Sequence, residues 1–223
     1  MIADCLRGLD LTNVSRVVIG VLREHIDEFC AGTVEFVVNS FKRTDFFSKL
    51  RFVVLPNRTR DHVETALTII RMANISGPVF IKDCHNAFTS IVPFHNAVCM
   101  FKITQETDHE MRSLARKSFC SFSHDNSLDN VVTETIVSPY VCTGGYAFRD
   151  AGILETVAEI MRAAHPAWLY SGFTPLTMSD IIFRLVLMRS EPVVGLSVVN
   201  FEDWQTTSAW RAFYHRRTAL VDV

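Results

Sequence analysis

Apolar residues along this chain fall into short blocks of two kinds, helical stripes and continuous runs, separated by polar turns. Ile2, Cys5, Leu6 and Leu9 recur at helical spacing and predict a helix over Met1 to Leu9 with no capping residue before it. Val17 to Leu22 is an uninterrupted apolar run, the pattern of a strand covered on both faces. Glu24 to Cys30 predicts a short helix and Val34 to Asn39 a second strand. Arg51 to Leu55 predicts a third strand, or a late continuation of the second after the charged loop from Lys42 to Lys49. Val63, Ala66, Leu67 and Ile70 mark one face of a helix over His62 to Ala73, capped from the Thr59/Asp61 region. Pro78 to Ile81 is the next apolar strand and runs straight into Lys82-Asp83-Cys84-His85-Asn86. This alternation of helix and strand predicts a doubly wound parallel sheet.

The second half changes character. Ala97 to Ile103, Ser118 to Phe122, Val131 to Val137 and Tyr146 to Phe148 predict strands joined by longer polar loops, which suits mixed or antiparallel additions to the sheet. Ala151 to Ala164 and Met178 to Met188 predict helices, Pro192 to Val199 a strand, and Trp210 to Arg217 a short amphipathic tail. The expected fold is three-layer α/β: one domain over residues 1–223 with a mixed, mostly parallel sheet and helices on both faces. No repeat, low-complexity tract or linker divides it. An uncapped helix at the first residue also leads us to expect that a preceding strand and loop lie outside this chain.

Composition narrows the function classes. The chain has 223 residues, with 22 Lys+Arg against 24 Asp+Glu, a net charge of −2. That balance lacks the basic excess that a nucleic-acid or anionic-membrane surface needs to displace counterions, so neither is expected as a partner. A small anionic ligand held by a few placed residues stays open. The 17 Phe against 4 Tyr and 3 Trp read as core packing. No apolar run reaches the roughly 20 residues of a membrane helix, and the first residues lack a secretory pattern, so a cytoplasmic protein is expected. The six cysteines stand singly without a CxxC pair, which reads as buried small hydrophobes.

Candidate chemistry concentrates at Asp83 and His85. They follow the carboxyl end of a buried strand, where open α/β sheets place their ligands, and in a turn both can approach one divalent cation. The competing reading is a turn in which Asp83 caps backbone N–H groups. Asn200 to Thr207 is a second acidic turn, whose Asp203 or Glu202 would complete a metal site with Asp83. The Gly144-Gly145 pair before Tyr146 allows close backbone approach, and Arg116 and Lys117 are candidate phosphate contacts. No Walker A, GxGxxG or HExxH element is present.

Taken in order, these fragments resemble the sugar-1-phosphate nucleotidyltransferases, or nucleotide-sugar pyrophosphorylases. Val17 to His25 is similar to the family's second strand and following turn, and Thr59 to Thr65 resembles its T-x-G/S-x-x-E-T segment near the base. Gly77 to Asn86 looks like the strand ending in D-x-D-N, and Lys117-Ser118 like its K-S strand start. Glu134 to Ser138 resembles the sugar-side E-K…S segment, Gly144 to Phe148 the G-x-Y-x-F strand, and Phe201 to Thr206 the turn with the second metal aspartate. The resemblance covers most of residues 10–215. It implies a Rossmann-like, GT-A-like core and a reaction joining an NTP to a sugar phosphate. It implies catalytic Asp83, Asp203 and Lys117, with Mg²⁺ or Mn²⁺ on Asp83, His85 and Asp203. It also implies nucleotide contacts from His25, Thr59, Glu64 and Thr65, and sugar contacts from Glu134, Gly144, Gly145 and Tyr146.

Departures from the family pattern weaken the expected catalysis. The family's first strand, Gly-rich loop and K-P lysine have no counterpart in the sequence. His85 stands where a second aspartate is expected, Asp61 and Gln205 where glycines are, and Thr135 where a lysine is. We therefore expect a protein that binds a nucleotide, sugar phosphate or nucleotide-sugar but is weak or inactive as a pyrophosphorylase. A non-catalytic regulatory or assembly module, such as a homo-oligomer, and a GT-A glycosyltransferase are the alternatives.

Overall fold

The computed structural model describes residues 2–30, 35–39, 41–42, 44–104, 117–164, 175–204, 208–212 and 215, with the side chains of residues 36 and 37 left aside. It is a mixed α/β molecule whose strands form three separate sheets.

The first is a two-stranded unit. β2 (Val17–Leu22) runs parallel to β3 (Leu50–Leu55), with Val17 opposite Leu50 through to Leu22 opposite Leu55. Helix α2 (Arg23–Phe29) follows β2 as expected. The predicted strand at 34–39 is corrected: Glu35–Asn39 is a short helix, α3. An apolar run that short fits a strand or a buried helical turn equally well. The place beside β2 is taken by β3, and Phe41, 1% exposed, then packs edge-on to Phe46 and Phe52.

Helix α4 (His62–Met72) starts at Asp61, whose carboxylate accepts a hydrogen bond from the Glu64 N–H at 2.7 Å. It buries Val63, Ala66, Leu67 and Ile70, each contributing about 1–3 kcal/mol through area removed from water. From α4 the chain enters the largest sheet through β4 (Val79–Lys82). Its spine is β9 (Tyr140–Phe148), with β6 (Ala97–Lys102) on one edge. On the other edge sit β4, beside residues 145–148, and β7 (Ser118–Phe122), beside residues 140–141. β8 (Leu128–Thr133) extends β7, and β10 (Val194–Ser197) extends β6. Helices α5 (Ala151–Ala164) and α6 (Met178–Met188) cover one face of this sheet, and their buried stripes join α4 in one core. A capping box between Thr177 and Asp180 starts α6.

A second core lies on the opposite face. It gathers α1 (Ile2–Leu6), β1 (Leu9–Asp10), β5 (Asn86–Ile91) and β11 (Val199–Asp203) around Leu9, Phe88, Cys99 and Trp204. β5 pairs in parallel with β1 and antiparallel with β11. Helices on both faces thus agree with the expectation, but the sheet is not mostly parallel. Among the described residues parallel pairing is confined to β1–β5, β2–β3 and β6–β10, while β4, β6 and β7 all pair antiparallel with β9 and β8 antiparallel with β7. The first predicted helix is also shorter than expected, ending at Leu6 so that Leu9 and Asp10 can pair with Ser90 and Ile91.

The phenylalanines fill the cores as their number suggests: Phe41, Phe88, Phe119 and Phe148 are almost wholly buried. Cys5, Cys99, Cys120 and Cys142 are buried free thiols. Among the described residues no helix is long and apolar enough to cross a membrane. The tail predicted at Trp210 to Arg217 lies partly outside the described residues.

Candidate functional site

The site forms where β4 ends. Asp83-Cys84-His85 makes a tight turn between β4 and β5, and three contacts fix it. The Asp83 N–H donates to the Gly144 carbonyl at 2.8 Å. The Lys82 ammonium donates to the carbonyls of Asp83 and Asn86 at 2.8 and 2.9 Å and to the Asn86 side-chain oxygen, while lying 4.5 Å over the Phe88 ring. The Trp204 N–H donates to the His85 carbonyl at 2.7 Å.

Gly144 is required here for two reasons. Its φ is +76°, the left-handed region that L side chains avoid, and a Cβ would stand 2.4 Å from Asp83 Oδ2 and 2.8 Å from Asn86 Nδ2. The strand β9 is therefore shaped to admit the Asp83 carboxylate against its backbone.

Asp203 reaches the same place from 120 residues further along the sequence, through the antiparallel pairing of β11 with β5 that sets Asp203 opposite Asn86. Its Oδ2 lies 2.6 Å from Lys117 Nζ, with the two side chains 12% and 9% exposed. Asp203 Oδ1 is buried without a hydrogen-bond partner among the described residues. His85 sits among these charges. Burial pushes its imidazole toward the neutral form, with Lys117 and Lys82 acting in the same direction and Asp83 and Asp203 against it. In the neutral form one ring nitrogen is an acceptor and the other an N–H donor.

A divalent ion would find Asp83 and Asp203 on this face, with a spare buried oxygen on the latter. Among the described residues no three His, Cys, Asp or Glu side chains are gathered closely enough to hold an ion by themselves. Two carboxylates without a full protein cage suit an ion whose remaining ligands come from phosphate oxygens and water.

The other predicted residues divide by location. Glu134 lies beside Lys117, its N–H donating to the Lys117 carbonyl at 2.9 Å, and its side chain is exposed. Gly145 pairs with Lys82 across β4 and β9. Tyr146 is 7% exposed and belongs to the core, with its phenol held protonated by burial first and by Asp83 second, so it shapes the wall behind the site. Thr65 lines the cleft that also reaches Asp83 and His85. Thr59 bonds to Thr65, hydroxyl to hydroxyl. Glu64 accepts from the Arg60 N–H at 2.6 Å, and the Arg60 guanidinium holds its carboxyl below the ordinary range, so its oxygens already serve the turn before α4. His25 is exposed on α2, 3.6 Å from Glu24. Gln205 and Arg116 lie outside the described residues.

Two groups at the site escaped the sequence reading of individual roles. Asn86, 2% exposed, and Lys82 brace the turn. The available signal for Lys82 was a lysine at the end of an otherwise apolar strand, which must find buried acceptors.

Two carboxylates and a lysine are thus grouped at strand ends of an α/β fold. No family model matches the chain, and no curated protein matches it in sequence. Solved structures do match its fold. A nucleoside-diphosphate-sugar pyrophosphorylase from Vibrio cholerae RC9 superposes with a TM-score of 0.69 at 11% identity, over 91% of this chain and 82% of that one. The inositol-1-phosphate CTP transferase from T. maritima gives 0.58 at 13% identity, over 88% and 72%. A CTP:phosphocholine cytidylyltransferase from Streptococcus pneumoniae gives 0.58 at 9% identity, over 91% and 79%. The chain therefore has the nucleotidyltransferase fold.

Proposed function

We propose that this protein binds a nucleotide or nucleotide-sugar at the face formed by Asp83, Gly144, Lys117 and Asp203. A divalent ion, Mg²⁺ or Mn²⁺, would be held by Asp83 and Asp203, with His85 beside them. The observation that carries the reading is the buried Asp203–Lys117 pair brought against the Asp83 turn by β5 and β11. The fold of the pyrophosphorylases and cytidylyltransferases supports it.

In this reading each residue has a separate role. Asp83 and Asp203 present carboxylate oxygens. Lys117 orients Asp203 through their 2.6 Å ion pair, and its remaining donors can meet a phosphate oxygen. Gly144 lets a ligand and Asp83 share the same surface, and Thr65, along the cleft, lies on the nucleotide side. The bound ion would neutralise phosphate charge and polarise a phosphoryl oxygen. The reaction class is nucleotidyl transfer between pyrophosphate and a sugar-phosphate oxygen, and we propose that it runs weakly. Both lysines at the turn are already engaged, Lys117 by Asp203 and Lys82 by the turn's carbonyls. Little cationic charge is left to stabilise a departing pyrophosphate.

The experiment is a thermal-shift screen of nucleoside triphosphates and nucleotide-sugars, up to millimolar concentration, with Mg²⁺ or Mn²⁺. A ligand present at 100 times its Kd adds about 2.7 kcal/mol, or about 5–11 °C in Tm at this chain length. The shift should need the cation and disappear in Asp83→Asn. No shift with any ligand overturns the reading and favours a non-catalytic module of the same fold.

A further inference from the structure

We propose that a separate cavity, where β7 ends and β9 begins, is a binding site for one neutral sugar ring. Its volume is about 410 Å³, in the lower part of the size range of small-molecule sites. The strands themselves set it apart from the Asp83 face. Tyr140 lies four residues before Gly144 on β9, and Ser121 four residues after Lys117, which precedes β7. Roughly 13 Å of extended chain therefore divides the two places along each strand.

The hairpin that joins β7 to β8 closes this cavity. Its tip crosses to β10, where the Gly195 N–H donates to the Asn126 carbonyl at 3.3 Å and the Asn126 amide donates to the Gly195 carbonyl at 2.9 Å. Next to them the Leu128 N–H donates to the Val193 carbonyl at 2.7 Å. Phe122 is thereby pressed onto the β10 backbone: a Cβ on Gly195 would stand 2.7 Å from the Met100 methyl and closer still to the Phe122 ring. Phe122 in turn meets Tyr140 edge-on, with centroids 5.6 Å apart and planes at 90°. Held in this way, the two half-buried rings and Met100 give the cavity a fixed apolar floor.

The remaining lining selects the ligand. Among the described residues the hydroxyls of Ser121, Ser197 and Tyr140 and the His124 ring make no hydrogen bond, so each is open to a ligand. No Asp, Glu, Lys or Arg side chain lines the cavity. Asp125, in the hairpin turn, is folded back to accept from the Ser123 hydroxyl at 2.6 Å and the Ser127 N–H at 3.0 Å. An ionic ligand would lose its water here without gaining a counter-charge. Hydroxyls both donate and accept, and so match a ring of hydroxyls whose own protons rotate to suit. The apolar floor matches the C–H face of such a ring. The perpendicular rings offer no pair of parallel faces between which a planar base would stack. This inference does not depend on the ligand proposed for the Asp83 face.

Methyl NMR of the protein labelled at the methionine methyls tests it, because Met100 lines this cavity and Met178 the cleft that reaches Asp83. D-glucose, D-galactose and D-mannose are each titrated to millimolar concentration without a divalent ion. At least one should shift the Met100 signal saturably and leave Met178 in place, in Asp83→Asn as in the unaltered chain. Ser121→Ala combined with Ser197→Ala should weaken that binding about tenfold, and the ligand-free spectrum shows that this double variant is folded. Five results overturn the proposal: no Met100 shift with any of the three sugars, a Met178 shift in its place, undiminished binding by the folded double variant, tighter binding of D-glucose 6-phosphate than of D-glucose, or an equal Met100 shift with uracil.

Discussion

Gly144 and Gly77 share almost the same backbone conformation, φ +76° and +75°, but differ in surroundings. A Cβ on Gly77 meets nothing within 4 Å, whereas one on Gly144 stands 2.4 Å from Asp83 Oδ2 and 2.8 Å from both Asp83 Cβ and Asn86 Nδ2. Each Gly→Ala change incurs the left-handed strain of an L residue, about 1–2 kcal/mol, and each gains the same unfolded-state contribution. Only Gly144→Ala must also push the Asp83 turn aside, an overpacking cost of about 1–3 kcal/mol. Urea denaturation should therefore give about 1–2 kcal/mol for Gly77→Ala and about 2–5 kcal/mol for Gly144→Ala. Adding Asp83→Gly to Gly144→Ala removes the two Asp83 atoms involved while Asn86 Nδ2 stays, and the cycle should return a coupling of about 1–2 kcal/mol, part of the overpacking cost. If Gly144→Ala costs no more than Gly77→Ala, or the coupling is zero, then Asp83 is not seated against β9 and the geometry of the site is wrong.

Four further substitutions separate the remaining contacts. Lys117→Met leaves the buried Asp203 carboxylate without its cation and should cost about 3–5 kcal/mol. Arg71→Met at the exposed Arg71–Glu155 pair should cost under about 1 kcal/mol, and equal losses in urea would mean that Lys117 is not a buried partner. Asp61→Ala removes the cap of α4 with its 2.7 Å bond to the Glu64 N–H and also the 3.5 Å pairing with Arg162, for a loss of at least about 1–2 kcal/mol from the cap alone; circular dichroism should show an unchanged helix content, and an unaltered stability would refute the cap. Burial raises the Cys5 thiol from 9.0 to about 11 and the Cys99 thiol from 9.0 to about 12. Above pH 9 the unfolded chain releases these protons while the folded chain keeps them, so their stabilising contribution is intact below pH 9 and declines as pH rises to 11. The sign is that of a buried group held neutral: each thiol should lower stability by about 1.4 kcal/mol per pH unit in that window. Cys99→Ala should flatten the pH profile whatever its effect on the baseline, and an unchanged slope would refute the assignment.

The parts of this molecule that were legible in its sequence are those whose signal is local. Helix α4 announces itself by Val63, Ala66, Leu67 and Ile70 on one stripe and by Asp61 before it, and the apolar run into Lys82 marks a strand that ends at a candidate carboxylate. Residues 35–39 misled because two adjacent valines after a phenylalanine suit a strand as well as a helical turn, and the deciding fact, that β3 takes the place beside β2, lies elsewhere in the chain. β5 was hidden for a different reason. Asn86, Thr89 and Ser90 break the apolar pattern, yet each makes a hydrogen bond, Asn86 within its own turn and the other two across the fold. Asn86 bonds Lys82, the Thr89 hydroxyl accepts from Asn200 at 3.3 Å, and the Ser90 N–H donates to the Gly8 carbonyl at 3.1 Å. β11 was read as a polar turn for the same reason. The two unread strands are the ones that pair Asp203 with Asn86 and so bring Asp203 to Lys117 and the Asp83 turn. Residue type and position at strand ends nominate Asp83, Asp203 and Lys117, and the family resemblance groups them as one site. The pairing that brings them together is a register between segments more than 100 residues apart, which a period-2 pattern broken by polar residues does not specify. A functional site built on polar edge strands is therefore harder to read than the core that supports it, because the polar residues that position its side chains also interrupt the pattern that would reveal the strands.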